Sequence, residues 1–226
     1  MKLCIPKVLA PEEAAEFCRL LESADWTDGK DTAGYLSRQV KNNHQLRESH
    51  PLAQKLGQRL LDVMDAHPLF LSAALPLKVV PPLFNRYSNS GNYGRHIDGG
   101  IRPVYGTRHR VRTDLSATLF LSPPESYDGG ELIIETLDGE ESVKLAAGDL
   151  VLYSGTSVHR VTPVTRGTRL AAFFWLQSMV RLDFQRTILF KLDNSLQQLG
   201  RDVPDHPALV DMMGVYHNLL RLWGDT

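Results

Sequence analysis

The spacing of apolar residues divides the chain into a helical beginning, a strand-rich middle and a helical end. Apolar side chains that recur every three to four positions line one face of an α-helix. Proline and acidic residues favour the start of such a helix, as in Pro11-Glu12-Glu13. Helices are therefore predicted in four segments: Pro11 to Ala24, Pro51 to Ala66, Phe184 to Leu199 and Leu209 to Trp223.

From Leu77 onward the pattern changes to short strand-like runs, which glycine turns such as Asp128-Gly129-Gly130 separate. About eight such runs favour an all-β sandwich or jelly roll. A further short strand is predicted over Ser37 to Val40, whereas the polar segment Gly99 to Arg112 is predicted to be a loop over the site. The runs are Leu83 to Tyr87, Tyr93 to Asp98, Asp114 to Ser122, Glu131 to Glu135, Ser142 to Leu145, Asp149 to Tyr153, Ser157 to Pro163 and Thr168 to Gln177.

These patterns predict a mainly β fold with flanking helices, organised in three parts. Residues 1–76 form an N-terminal helical or mixed support region, residues 77–178 a jelly-roll core, and residues 179–226 a C-terminal helical extension. The N-terminal helices are expected to pack on the sheet, and the C-terminal helices are apolar enough to dock on it or to pair two subunits.

Composition and charge narrow the classes of partner. The 226 residues carry a formal net charge of −1, which provides no field for nucleic acid or a membrane surface. No run of about 18 apolar residues is present that could span a bilayer. Cys4 and Cys18 have no metal-binding spacing and are interpreted as reduced, mostly buried thiols in a helix-like segment. Because the first residues also lack the apolar core of a signal peptide, the cytoplasm is the expected compartment.

Three residues form a candidate metal site. His96 and Asp98 are two positions apart in a predicted strand, so their side chains should project to the same side while Ile97 faces away. His159 lies in a later strand that could face the first pair. Two imidazoles and one carboxylate are the facial triad of non-heme Fe(II) oxygenases. The alternatives at this point are a surface His-x-Asp pair and a histidine packed in the core.

Arg169 follows His159 by ten positions and begins the most apolar strand of the chain. A buried guanidinium without a partner is costly, so this side chain either points outward, pairs with an internal acid or binds a carboxylate ligand. Its planar fork matches a carboxylate in bidentate fashion. Next to a metal site, the carboxylate of an acidic co-substrate is the favoured partner.

The order of several motifs resembles that of a known family. With His159, Arg169 and Trp175, the motifs resemble the Fe(II)/2-oxoglutarate dioxygenases of the prolyl 4-hydroxylase superfamily, and more narrowly the bacterial PKHD-type hydroxylases. The likeness extends to Lys41-Asn42-Asn43 near the start and Tyr216-His217-Asn218 near the end. The motifs are Phe84-Asn85-Arg86-Tyr87, Gly91 to Asp98, Asp114 to Ser122, Tyr127-Asp128-Gly129-Gly130-Glu131-Leu132 and Gly148 to Tyr153.

The resemblance implies a double-stranded β-helix and a set of site residues. By position, His96, Asp98 and His159 would ligate Fe(II), and Arg169 would bind the distal carboxylate of 2-oxoglutarate. Tyr87 matches a position whose hydroxyl helps to hold that co-substrate, although an aromatic core residue is the alternative. No catalytic residue beyond the metal centre is expected.

The resemblance also implies a reaction and leaves its substrate open. It implies hydroxylation with O2 and release of succinate and CO2, L-ascorbate as a further cofactor, and an association with iron uptake or iron homeostasis. Phe120 departs from the pattern, because some animal prolyl hydroxylases have a tyrosine there that contacts 2-oxoglutarate. Thr118 or Thr113 would then supply a hydroxyl instead.

Two other functions fit the same residues. One is a cupin-type mononuclear metal enzyme that uses the triad without 2-oxoglutarate, against which Arg169 argues. The other is a non-catalytic jelly-roll module that binds iron or a small ligand. The kind of C–H bond that would be hydroxylated does not follow from fold or triad.

Overall fold

Two antiparallel sheets form the centre of the computed structural model, which describes residues Met1–Thr226. The major sheet has the order β1-β14-β10-β17-β6-β4-β2, with β5 also paired to β17, and the minor sheet has the order β13-β12-β15-β7-β3. The first nine strands are β1 (Lys2–Ile5), β2 (Thr27–Asp28), β3 (Lys41–Asn42), β4 (His44–Gln45), β5 (Pro76–Val79), β6 (Leu83–Tyr87), β7 (Asn92–His96), β8 (Ile101–Pro103) and β9 (Arg110–Arg112). The other eight are β10 (Leu115–Phe120), β11 (Asp128–Gly129), β12 (Leu132–Thr136), β13 (Gly139–Val143), β14 (Leu150–Ser154), β15 (His159–Val161), β16 (Val164–Arg166) and β17 (Arg169–Ser178). The predicted jelly roll is confirmed.

Six helices flank the sheets, and the four predicted ones are present within a few residues of their expected bounds. The helices are α1 (Pro11–Glu22), α2 (Tyr35–Val40), α3 (Pro51–Asp65), α4 (Pro68–Ala74), α5 (Asp183–Asp202) and α6 (Ala208–Trp223). The short helix α4 was not predicted, because it begins only three residues after α3 ends and so has no separate periodic pattern. No helix combines the length and the apolar character that crossing a membrane requires.

The two faces of the major sheet carry different side chains, because successive residues of a strand point to opposite sides. On the outer face, Phe84, Leu119 and Leu152 pack against Phe17 and Leu60 of the helices in a core of 24 buried residues. On the inner face, residues of β6, β10 and β14 meet residues of β12, β13 and β15 in a second core of 10 buried residues. The candidate functional residues described below lie at the inner face, beside this second core.

Two local predictions were wrong. Ser37 to Val40 belongs to helix α2, in which the Arg38 amide donates to the Gly34 carbonyl at 2.9 Å. The pattern of a four-residue segment is too short to distinguish a strand from a turn of helix. The segment Gly99 to Arg112 contains the hairpin of β8 and β9, so it is not a structureless loop.

The cysteine prediction was wrong for Cys4. Its segment is strand β1, which pairs with β14, and its side chain is exposed. Cys18 is half-buried on α1, where its thiol donates to the Leu121 carbonyl at 3.3 Å. Residues 2–5 form a strand because they pair with β14, which is distant in the sequence. Such a partner cannot be predicted from the local sequence.

Candidate active site

His96 and His159 are direct neighbours across the pairing of β7 with β15. Their ring centroids are 4.3 Å apart, and Nε2 of His159 lies 3.8 Å from Oδ2 of Asp98. One possible ligand atom from each of the three residues lies within 4.8 Å of the others. The structure therefore brings together all three residues that the sequence proposed as a metal site.

Asp98 reaches this position differently from what was predicted. Strand β7 ends at His96, so Asp98 lies just beyond the strand and not within it. The two side chains still converge as predicted, while Ile97 is 53% exposed. The Ser116 hydroxyl on β10 donates to Asp98 Oδ2 at 2.7 Å. A hydroxyl from the opposite sheet thus fixes the orientation of the carboxylate.

Backbone carbonyls set the tautomer of both imidazoles. Nδ1 of His96 lies 2.7 Å from the Gly94 carbonyl oxygen, and Nδ1 of His159 lies 3.0 Å from that of Ser157. A carbonyl can only accept a hydrogen bond, so each Nδ1 carries the proton and each Nε2 keeps its lone pair. Burial lowers the pKa of His96, which favours the neutral ring that a metal requires. This donor set fits Fe(II).

Arg169 is buried at the start of β17 with only 1% of its surface exposed. Its guanidinium lies 5.2 Å from the ring centre of Tyr87 and 5.1 Å from that of Phe120. Nε and Nη1 have no hydrogen-bond partner, and no acid forms a salt bridge with this side chain. The internal salt bridge considered above is therefore absent. Because a buried cation needs an anion, a ligand carboxylate fits the position.

Hydroxyl and aromatic groups surround this cation. Tyr87 is paired in register with Arg169 and is 1% exposed, and burial raises the pKa of its hydroxyl. The buried hydroxyl of Tyr127 also has no partner. Thr118 lines the same cavity, whereas the Thr113 hydroxyl donates to the Gly99 carbonyl at 2.8 Å and is thereby occupied.

A cavity of about 860 Å³, its open mouth included, joins the triad to Arg169. Its lining also includes four buried polar residues that the sequence analysis did not propose as site residues: Lys41, Asn43, Gln45 and Asn85. We call these four residues the polar wall. Residues 41–45 are all polar, so no alternation in the sequence distinguishes the three that line the cavity from Asn42 and His44.

Fold and site together define a 2-oxoglutarate-dependent dioxygenase, and comparison with known sequences identifies the family. The 2OG-Fe(II) oxygenase superfamily matches residues 82–177, and the PKHD-type hydroxylase C-terminal domain matches residues 183–225. The chain is 58% identical to PKHD-type hydroxylase PiuC of Pseudomonas aeruginosa over 225 residues and 59% identical to a PKHD-type hydroxylase of Pseudomonas putida over 226, with 100% of every chain covered. The chain belongs to the PKHD-type hydroxylases of this superfamily.

Solved structures support the fold. A prolyl-4-hydroxylase from Pseudomonas putida has a TM-score of 0.53 at 22% identity, over 78% of this chain and 92% of that one. HygX from Streptomyces hygroscopicus, solved with nickel and 2-oxoglutarate, has a TM-score of 0.52 at 17% identity, over 79% of this chain and 84% of that one. Family membership also decides against the two alternatives, the cupin-type enzyme without 2-oxoglutarate and the non-catalytic module.

Proposed function

We propose that this protein hydroxylates a C–H bond of a small-molecule or peptide substrate, with His96, Asp98 and His159 as the Fe(II) ligands and Arg169 and Tyr87 as the residues that hold 2-oxoglutarate. The observation that carries the proposal is the pair of Nδ1–carbonyl contacts. They leave both Nε2 atoms free beside the Asp98 carboxylate. The unpartnered guanidinium of Arg169 supports the co-substrate assignment.

Bound iron together with 2-oxoglutarate and O2 would supply the oxidising power for hydroxylation, with succinate and CO2 as the other products. The residues of the chain would bind and orient the metal and the co-substrate and shield them from water. Ser116 holds Asp98, and the Tyr93 ring stacks on His96 with the ring centroids 3.6 Å apart. The buried rings of Tyr87 and Phe120 exclude water around the Arg169 guanidinium, which strengthens its attraction for a carboxylate.

Substitutions at the proposed ligands test these assignments. The Fe(II)-loaded protein should release succinate from 2-oxoglutarate, slowly without a substrate. His96→Ala and Asp98→Ala should abolish this release, because each removes a metal ligand. Arg169→Ala should raise the 2-oxoglutarate requirement by at least about thirtyfold, the effect of removing one partner of a buried charge pair. His109→Ala, at an exposed histidine of the β8–β9 hairpin, is the control and should behave as the wild type. Normal succinate release by the His96→Ala protein would overturn the metal assignment.

Further parts of the proposal concern the cellular setting. L-ascorbate is proposed as the reductant that restores the iron after turnover without substrate, and it should prolong succinate release. The cytoplasm is proposed as the compartment, which the two free cysteines support.

A role in iron uptake or iron homeostasis rests on the family resemblance, and growth of a deletion strain on limiting iron tests it. A homo-oligomer through the C-terminal helices is proposed from their exposed apolar side chains.

A further inference from the structure

Lys41 is a buried cation without an acidic partner. It is 5% exposed, and its ammonium donates only to the neutral oxygens Oγ1 of Thr32 at 3.1 Å and Oε1 of Gln45 at 3.0 Å. An ammonium has three protons to donate, so one remains for another acceptor. Burial and the nearby charge of Arg102 lower the pKa of Lys41 to about 8. Lys41 is therefore still largely protonated near neutral pH, but keeping this buried group charged costs free energy.

The rest of the polar wall contains amide atoms without partners. Asn43, Gln45 and Asn85 are 6%, 1% and 7% exposed. Both amide atoms of Asn43, Nε2 of Gln45 and Oδ1 of Asn85 have no hydrogen-bond partner. Each unpaired buried polar atom costs roughly 1–3 kcal/mol, so several in one cavity wall indicate that a ligand completes them.

The polar wall is built from both sheets. Lys41 on β3 pairs with Tyr93 on β7 in the minor sheet, and Gln45 on β4 pairs with Asn85 on β6 in the major sheet. Asn43 lies between β3 and β4, where the chain crosses from one sheet to the other. The ammonium of Lys41 lies 5.2 Å from the centre of the Tyr93 ring, which stacks on the ring of His96. A ligand on this wall would therefore lie beside the proposed metal centre.

The co-substrate leaves Lys41 free. 2-Oxoglutarate has two carboxylates, and the proposed function supplies a partner for each, Arg169 for one and the metal for the other. Arg102, the other cation of the cavity, is already paired with Glu48 at 2.7 Å. Lys41 is thus the cation of the cavity that neither an acid of the chain nor the co-substrate neutralises.

We propose that the polar wall is the binding site of the substrate that is hydroxylated, and that this substrate presents a carboxylate to Lys41 and an amide group to the side chains of Asn43, Gln45 and Asn85. This inference rests on the proposed function, because it needs the triad and Arg169 for iron and 2-oxoglutarate. An amide both donates and accepts, which matches the unpaired Nε2 of Gln45 and Oδ1 of Asn85 together with Nδ2 of Asn43, whose own Oδ1 lies against Gly29.

N-acetylglycine is a small probe with both groups, and its neutral N-methylamide is the matched compound without the charge. The protein is loaded with Zn(II), which is redox-inert, and with saturating 2-oxoglutarate, so that Arg169 is already occupied. Ligand-observed NMR titration then gives the affinity of each probe, and calorimetry gives that of 2-oxoglutarate. We expect N-acetylglycine to bind and the N-methylamide to bind at least about tenfold more weakly.

Two variants at the polar wall test the assignment. Lys41→Met should weaken N-acetylglycine binding at least about thirtyfold, as expected for loss of a buried charge partner. Gln45→Glu is nearly isosteric and places a carboxylate next to the ammonium of Lys41. It should therefore weaken the binding of N-acetylglycine while preserving the fold. Lys78→Met, at an exposed lysine of β5, is the matched control and should bind as the wild type. Circular dichroism verifies that each variant is folded.

The outcomes separate the two proposals. Absence of N-acetylglycine binding to the wild type, or equal binding to the Lys41→Met protein, would overturn the inference about the substrate. A loss of 2-oxoglutarate affinity in Lys41→Met as large as the loss for the probe would assign the polar wall to the co-substrate and would also overturn it. Failure of the wild type to bind 2-oxoglutarate would overturn the proposed function itself, and this inference with it.

Discussion

Arg169 and Lys41 are both buried cations without an acidic partner, but the protein surrounds them differently. The faces of two aromatic rings pack against the guanidinium of Arg169, and such faces attract a cation. Lys41 lies over the face of one ring, that of Tyr93, and also donates to the oxygen atoms of Thr32 and Gln45. An ammonium shifts its pKa readily on burial, so the protonation of Lys41 is sensitive to its surroundings.

The pH dependence of stability should report the burial of Lys41. Its pKa is lowered from 10.5 to about 8, so between these values the unfolded chain binds a proton that the folded chain does not. The contribution of Lys41 to the free energy of unfolding therefore rises with pH between about pH 8 and pH 10.5. Relative to Lys41→Met, the wild type should gain roughly 3 kcal/mol of unfolding free energy between pH 7 and about pH 10.5.

Urea unfolding of both proteins across this pH range measures the difference, with Lys78→Met as the control. A gap between the wild type and Lys41→Met that does not change with pH would contradict the prediction. Because the comparison is between two proteins at each pH, titration of the other groups largely cancels.

At the residue scale, the sequence predicted the groups that are chemically unusual. Two histidines, an aspartate and an arginine within an apolar strand have few structural uses, so His96, Asp98, His159 and Arg169 could be identified. The polar wall could not be identified in this way. A continuous polar run such as residues 41–45 is also typical of a solvated segment, and its burial depends on how β3 and β4 cross between the sheets.

At the level of elements, the turn before β12 makes room for the proposed co-substrate site. Gly130 has a φ of +70°, and a Cβ atom at this position would lie 3.0 Å from Cδ of Arg169 and 3.0 Å from Cε2 of Tyr127. Both neighbours are buried and packed, so they have little room to move. Glycine at this position is thus needed for the turn conformation and for the placement of Arg169.

Gly130→Ala should therefore lower stability and weaken 2-oxoglutarate binding. The left-handed conformation alone costs an alanine roughly 1–2 kcal/mol, and the contact with Arg169 adds to that. The matched control is Gly106→Ala, which has a φ of +72° and no atom within 4 Å of the added Cβ. It should show the conformational cost alone, with unchanged 2-oxoglutarate affinity. Calorimetric titration with 2-oxoglutarate distinguishes the two, and equal affinities would contradict the prediction.

Helix and strand predictions differed in accuracy for a physical reason. Helices α3, α5 and α6 were predicted from local periodicity, because their hydrogen bonds and apolar faces are local properties of the sequence. Strands β1 and β3 were missed because each is only a few residues long and is defined by its distant partner, β14 or β7. The orientation of the Asp98 carboxylate beyond the end of β7 likewise depends on Ser116 in another sheet.

At the scale of the whole molecule, helix α6 presents apolar side chains at the surface. Helix α6 has no fully buried residue, and Val215 and Leu222 are 53% and 75% exposed. Residues seven apart lie on the same side of a helix, so these two form part of one apolar face. Such a face is typical of a contact with another protein surface, as the proposed homo-oligomer requires.

Charge on that face should separate the subunits. The double substitution Val215→Glu with Leu222→Glu should convert an oligomer to a monomer, because two carboxylates would have to be buried in the contact. Light scattering after size-exclusion chromatography measures the mass. Leu137→Glu, at a fully exposed leucine of the turn between β12 and β13, is the control and should leave the mass unchanged. A monomeric wild type would refute the proposed oligomer.

The proposed support region, residues 1–76, contributes strands to both sheets and most of the polar wall, whereas the superfamily match begins at residue 82. The residues proposed to hold iron and 2-oxoglutarate and most of the residues proposed to bind the substrate therefore lie in two different stretches of the sequence. Under this proposal, changes at positions 41, 43 and 45 would alter the compounds that are accepted and would leave the iron and 2-oxoglutarate sites in place. The crossing from β3 to β4 is accordingly the place at which to look for divergence among PKHD-type hydroxylases.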